Sequence, residues 1–198
     1  MDIATAVYHE CGHVVMSYYY GFSCDSIQIS LSERDSKTVI KYGEVQSLVE
    51  AILRYNEEPA VYAETSRHHS QENIFSTLVK LGVILASGGI AERVYLNKLN
   101  PEAENDEVLP SGSDLARLQS IHSIFQALRP GFPSDYLDKL FQVWHVTIRD
   151  QIWPAIDGLA RAVLETADLS MGQAEIEHCL ENYKMILFQD TLLNRAWR

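Results

Sequence analysis

Five consecutive residues, His9-Glu10-Cys11-Gly12-His13, carry the chemistry of this chain most plainly. A helix turns about 100° per residue, so two imidazoles four positions apart share one face, one turn along. His9 and His13 so placed can each give a nitrogen to one tetrahedral Zn2+ at roughly 2.0–2.1 Å. Glu10 can lean beside the metal and take a proton from a bound water, whose pKa zinc lowers from about 15.7 to about 7. At this chain's own composition, chance supplies roughly 0.02 such HExxH runs in the whole length. Ala4, Ala6, Val7, Val14 and Val15 give the helix apolar faces to bury, and Gly12 allows a neighbour to come close. Buried imidazoles and a carboxylate need a reason to be held there, and a metal provides one.

A catalytic zinc takes three protein ligands and keeps one position for water. The short-spaced third histidine of the metzincin pattern is absent, because no histidine follows His13 before His68. The open candidates are Asp114, Glu92, His68, His69, His122 and His145. Asp114 sits at an expected helix start after Ser111-Gly112-Ser113, where backbone N–H groups steady a carboxylate that faces outward. Glu92 lies among Gly88, Gly89 and Ala91, which suits burial against another helix and a role beside a ligand. His68 and His69 are adjacent, diverge by about 100° if helical, and sit in a polar stretch. Cys11 points away from the proposed zinc and reads as a packing residue. The aromatic residues Tyr18, Tyr19, Tyr20, Trp144, Trp153 and Trp197 read as core and interhelix packing.

These groups need elements to hold them. Ala4 to Tyr20 reads as a helix stopped by Gly21. Ile27, Ile29 and Leu31 alternate with polar residues as in a half-buried strand, and a polar turn at Ser32 to Lys37 leads to a second β-like run, Thr38 to Val45. A hairpin is the expectation. Helical pattern follows at Ser47 to Asn56 and at Gln71 to Lys98. Asn100 to Gly112 is a solvated loop by composition, carrying Glu102, Glu104, Asp106 and Glu107 between Pro101 and Pro110. A helix from Ser113 runs to about Phe125. Pro130 and Pro133 separate it from Tyr136 to Gln151, Pro154 to Ala167 and Ser170 to Asn182. The fold expected is mainly α with a small β-hairpin or sheet. It forms one domain over 1–198, with a motif-bearing core (1–130) and a C-terminal helical part (131–198).

The chain has 198 residues, 46% of them hydrophobic and 22% charged, as in ordinary globular proteins. A net charge of −11 argues against nucleic acid and anionic membrane surfaces as partners. Three scattered cysteines do not make a disulfide scaffold. The most apolar runs, such as Gly82 to Ala91, contain glycines and fall short of the roughly 20 residues of a membrane span. With no signal-like start at Met1-Asp2-Ile3, the expectation is a cytoplasmic protein without a membrane helix.

Three segments together resemble a known family. Thr5-Ala6-Val7-Tyr8-His9-Glu10-Cys11-Gly12-His13-Val14 is similar to the A-x-H-E-A-G-H-A helix of FtsH-type ATP-dependent zinc proteases. Leu85-Ala86-Ser87-Gly88-Gly89-Ile90-Ala91-Glu92-Arg93 resembles their L-x-G-G-R-x-A-E-E helix. Ser111-Gly112-Ser113-Asp114-Leu115 resembles G-A-S-N-D-L, whose aspartate is the third zinc ligand. The resemblance implies His9, His13 and Asp114 as ligands, Glu10 as catalytic base, a zincin-like peptidase domain closed by a C-terminal helical bundle, and a substrate strand added near Ile27 to Leu31. Ile90, Arg93 and Ser113 depart from the family pattern, as does the acidic insertion at Pro101 to Pro110. The chain carries no GxxxxGK[ST] phosphate loop. The expectation is therefore an ATP-independent zinc metalloendopeptidase acting on unfolded or flexible polypeptides, as a homo-oligomer or beside a separate ATPase. The alternative is a binding or assembly module in which zinc is structural.

Overall fold

Ile3–Tyr19 forms the first helix, α1, in a computed structural model of the chain that describes residues 2–30, 36–101, 112–131, 133 and 135–184. It is buried on nearly every side, with Val7, Cys11, Val14, Val15 and Met16 fully enclosed. Each such side chain contributes about 1.5–3 kcal/mol of burial before entropy is charged. A Schellman motif ends the helix: Phe22 N–H donates to the Ser17 carbonyl, Gly21 N–H to that of Tyr18, and Gly21 takes φ +80°.

The strands β1 (Ser23–Gln28) and β2 (Lys37–Lys41) follow and pair antiparallel, Ile27 opposite Thr38. The hairpin is as expected, but its first strand starts earlier, at Ser23. Its second ends at Lys41, and Gly43–Val45 turns into a short 3-10 segment. Leu31 and most of the expected turn lie outside the described residues. α2 (Gln46–Leu53) and α3 (Pro59–Ser66) come next. Only Tyr62 of α3 is buried, so no apolar stripe announced that helix.

The long helix α4 (Gln71–Leu99) is the partner of α1. By length and composition it could cross a membrane, contrary to the expectation that no segment was long and apolar enough, but 78% of its apolar window is buried inside the fold. Its glycines, each costing about 0.5–1 kcal/mol in a helix interior, are offset by this packing. A Cβ at Gly12 would lie 2.5 Å from the Ser87 carbonyl oxygen and 2.8 Å from Ala91 Cβ, so α1 and α4 touch backbone to backbone there. This close crossing sets His9 and His13 against the middle of α4.

After the acidic stretch 102–111, which lies outside the described residues, come α5 (Gly112–Leu128) and α6 (Tyr136–Thr147). Ile148–Ile152 is a wide π turn leading into α7 (Trp153–Glu165), where Pro154 has no N–H to continue the regular ladder. The C-terminal stretch expected to be helical from Ser170 begins instead as a strand, β3 (Ser170–Gly172), and becomes α8 at Gln173–Glu181. The molecule is mainly helical, with one three-stranded antiparallel sheet in the order β2-β1-β3. β1 is its middle strand: Ile27 faces Thr38 on one side and Met171 on the other. Trp144 and Trp153 are buried in interhelix packing, whereas Trp197 lies outside the described residues.

Candidate metal centre

His9 and His13 project from one face of α1, and α5 brings Asp114 to them across about a hundred positions of chain. Gly112, at φ +61°, turns the chain into α5, a conformation that costs glycine little. The carboxylate of Asp114 is buried and faces inward rather than outward, in contrast to the helix-start expectation. Its Oδ2 lies 3.1 Å from His9 Nε2 and 3.1 Å from His13 Nε2, and the two Nε2 atoms are 3.2 Å apart. A tetrahedral zinc with bonds of roughly 2.0–2.1 Å spaces its ligand atoms about 3.3 Å apart, so this triangle has the right edge length. Among the described residues, these three form the one group of His, Cys, Asp or Glu whose ligand atoms converge for a metal.

The other ring nitrogens decide which lone pairs face the centre. His13 Nδ1–H donates to the backbone carbonyl of Ile84 at 2.7 Å, and His9 Nδ1–H to Glu92 Oε2 at 3.2 Å. Both contacts come from α4, and both assign the lone pair to Nε2, the arrangement seen where a second partner orients a metal-bound imidazole. Two Nε2 lone pairs and a carboxylate oxygen thus meet at one point. Three acceptors in contact repel unless a cation lies among them.

In the metal-free chain a proton is that cation. Burial of the His9 ring works against its charged form, but hydrogen bonds to Asp114 and Glu92 outweigh burial and lift its pKa to about 10. Burial pushes the Asp114 carboxyl up, yet the hydrogen bonds from His13 and His9 prevail and hold it well below the usual carboxylate range. At neutral pH, His9 therefore carries a proton that a metal must displace. Calorimetric titration with Zn2+ at pH 7, in buffers of different ionisation enthalpy, is expected to show release of about one proton per metal bound. Affinity should weaken as pH falls. Zinc uptake without proton release would contradict this picture.

Glu10 lines a cavity of about 440 Å3 whose walls also include His9, His13, Thr38, Tyr42 and Asp114. Thr38 Oγ1–H donates to Glu10 Oε2. No hydrogen bond engages Oε1 among the described residues, which leaves that oxygen for a proton. Arg117, one turn after Asp114 on α5, places Nη1 3.6 Å from Asp114 Oδ1.

The structure brings together His9, Glu10, His13 and Asp114, and puts Glu92 behind His9 as a partner of the ring rather than in the triangle. His68 and His69 lie in the turn after α3, and His122 and His145 on α5 and α6, outside the cluster. Cys11 is fully buried, as expected of a packing residue. Sequence reasoning missed the Ile84 carbonyl, Thr38 and Arg117. Arg117 was within reach of it, because the i, i+3 spacing puts it on the face of Asp114; no local signal marks the other two. No family model, curated protein or solved structure matches the chain.

Proposed function

We propose that this chain is a zinc-dependent endopeptidase of the zincin type, similar to the protease domain of the FtsH-type family and working without ATP on flexible polypeptides. One observation carries the reading: two Nε2 lone pairs and a carboxylate oxygen converge at zinc-like spacing, with a tethered carboxylate, Glu10, beside them in an open cavity. His9, His13 and Asp114 hold the metal. Zinc, when bound, supplies a Lewis acid that makes water acidic near neutral pH and steadies negative charge developing on a carbonyl oxygen. Glu10 takes the water's proton and hands it to the departing amine. Thr38 holds Glu10 by one carboxylate oxygen and leaves the other open among the described residues. A purely structural site has no use for such a base.

The strand edge near Ile27 to Leu31 does not suit substrate addition, because Ile27 and Gln28 are paired on both sides and Ile29 N–H donates to the Leu169 carbonyl. The outer edge of β2 suits it better: Lys37, Thr38, Val39 and Ile40 line the same cavity as Glu10, and β2 pairs only with β1 among the described residues. An extended peptide adding there passes beside the three ligands.

The test is cleavage of casein by zinc-loaded protein, with elemental analysis of the metal. About one zinc per chain and cleavage abolished by a chelator and restored by zinc are expected. Metal retained with no chelator-sensitive cleavage of any unstructured polypeptide would instead leave an assembly module, alone or beside a separate ATPase.

A further inference from the structure

Acids outnumber bases 27 to 16 in the chain. Among the described residues, the walls around the centre carry as many bases as acids. Among the described residues, the charged residues lining the cavity are Glu10, Asp114, Lys37 and Arg117. A second cavity of about 500 Å3 shares Tyr42 with the first, and its charged lining is Lys41, Lys80 and Glu44. The two cavities meet at Tyr42, just past the end of β2, and among the described residues their walls carry Lys37, Arg117, Lys41 and Lys80 against Glu10, Asp114 and Glu44.

The cations differ in how far they are committed. Lys41 is paired with Asp25 at 2.6 Å, and Lys80 stands 5.8 Å from the centroid of the Phe22 ring. Among the described residues Lys37 has no side-chain partner, and Arg117 has one long ion pair, to Asp114. Its 3.6 Å approach to Asp114 Oδ1 is too long for a hydrogen bond, and no hydrogen bond takes its donors among the described residues. Its side chain is 46% exposed and lies on the cavity wall. A planar fork of donors left open at that position matches a carboxylate two oxygens at a time.

We infer that the cavity beside the centre selects polypeptides carrying a carboxylate beside the cleaved bond, and that Arg117 is the residue that binds it. The inference rests on the peptidase reading above and names its substrate class. Lys37 on the same cavity wall reinforces the attraction, and Lys80 in the adjoining cavity extends it to acidic residues further along the peptide. The carboxylate has two sources, an Asp or Glu side chain or the free C-terminus of a peptide.

The experiment compares fluorogenic peptides that differ only in Glu or Gln flanking the cleaved bond, each with a free or an amidated C-terminus. With zinc-loaded protein, the Glu peptides are expected to show kcat/KM roughly 2–5-fold higher than the Gln peptides, mostly through KM and less so at high salt. Preference surviving amidation assigns the side chain; preference confined to free termini assigns the terminal carboxylate. Arg117→Gln should bring the Glu-over-Gln ratio to about one, Arg117→Lys should retain part of it, and Arg117→Glu should turn the preference toward Lys-bearing peptides. Fluorescence anisotropy of the same peptides on metal-free protein reads the ratio without catalysis, so failure of the peptidase reading shows separately as cleavage of nothing. A Glu-over-Gln ratio near one in the parent chain, in both cleavage and binding, overturns the inference. So does a ratio that Arg117→Gln leaves unchanged while zinc content stays at the parent level.

Discussion

Glu10→Gln is expected to keep its zinc and lose its cleavage, with kcat/KM falling by roughly 10²–10⁴-fold, the contribution of a positioned general base. The amide has the shape of the carboxylate, and its oxygen can still accept the hydrogen bond from Thr38 Oγ1, so the side chain stays where the structure puts it. What it loses is the ability to take a proton. The metal site should be unaffected, because Glu10 is not one of the three converging ligand atoms. Elemental analysis checks the zinc, and a fluorogenic peptide assay checks the rate. Activity equal to the parent would take Glu10 out of the chemistry and leave the cavity beside it without a purpose. Loss of both zinc and activity would place Glu10 among the ligands instead.

The second large effect falls on a residue that does no chemistry. A Cβ at position 88 would sit 2.5 Å from both Cε1 and Nε2 of His13 and 2.8 Å from His9 Nε2. Gly88 is therefore the floor on which both rings rest. Neither ring has somewhere to go: His13 is anchored to the Ile84 carbonyl and His9 to Glu92. In Gly88→Ala the added methyl must push the Nε2 atoms off their positions, and zinc affinity is expected to fall by about 100-fold, at the upper end of what disturbed outer partners cost a metal site. Alanine favours a helix interior over glycine by about 0.5–1 kcal/mol, so loss of zinc cannot be ascribed to a weakened α4. Competition against a chromogenic chelator measures the affinity, and circular dichroism reports whether the helices remain. Undiminished affinity with the fold intact would mean that the rings are not held as the structure shows.

How much of this was legible beforehand depends on the range of the interactions involved. α1 could be read because its signals are local: the i, i+4 histidines, the apolar flanks and the glycine stop all lie within some twenty residues. α4 could be read as a helix for the same reason. Its near-uniform apolarity, however, does not say whether water, lipid or protein surrounds it, and only its burial among the other elements answers that. α3 and β3 stayed hidden because neither carries a pattern. α3 buries a single side chain, and β3 is three residues long and exists because β1 offers it an edge, Ile27 opposite Met171.

The site divides along the same line. By itself the sequence determined a helix with two imidazoles and a carboxylate at metal-binding spacing, and made Asp114 the leading third partner through its resemblance to a known motif. Only the tertiary structure decided that Asp114 turns inward to meet both rings, that Glu92 and the Ile84 carbonyl aim the lone pairs, that Gly88 makes the room, and that Thr38 tethers Glu10. The reason is physical. Helical spacing is a property of neighbouring residues, whereas the convergence of α1, α4, α5 and β2 on one point depends on how their buried surfaces pack, and that information is spread over the whole chain.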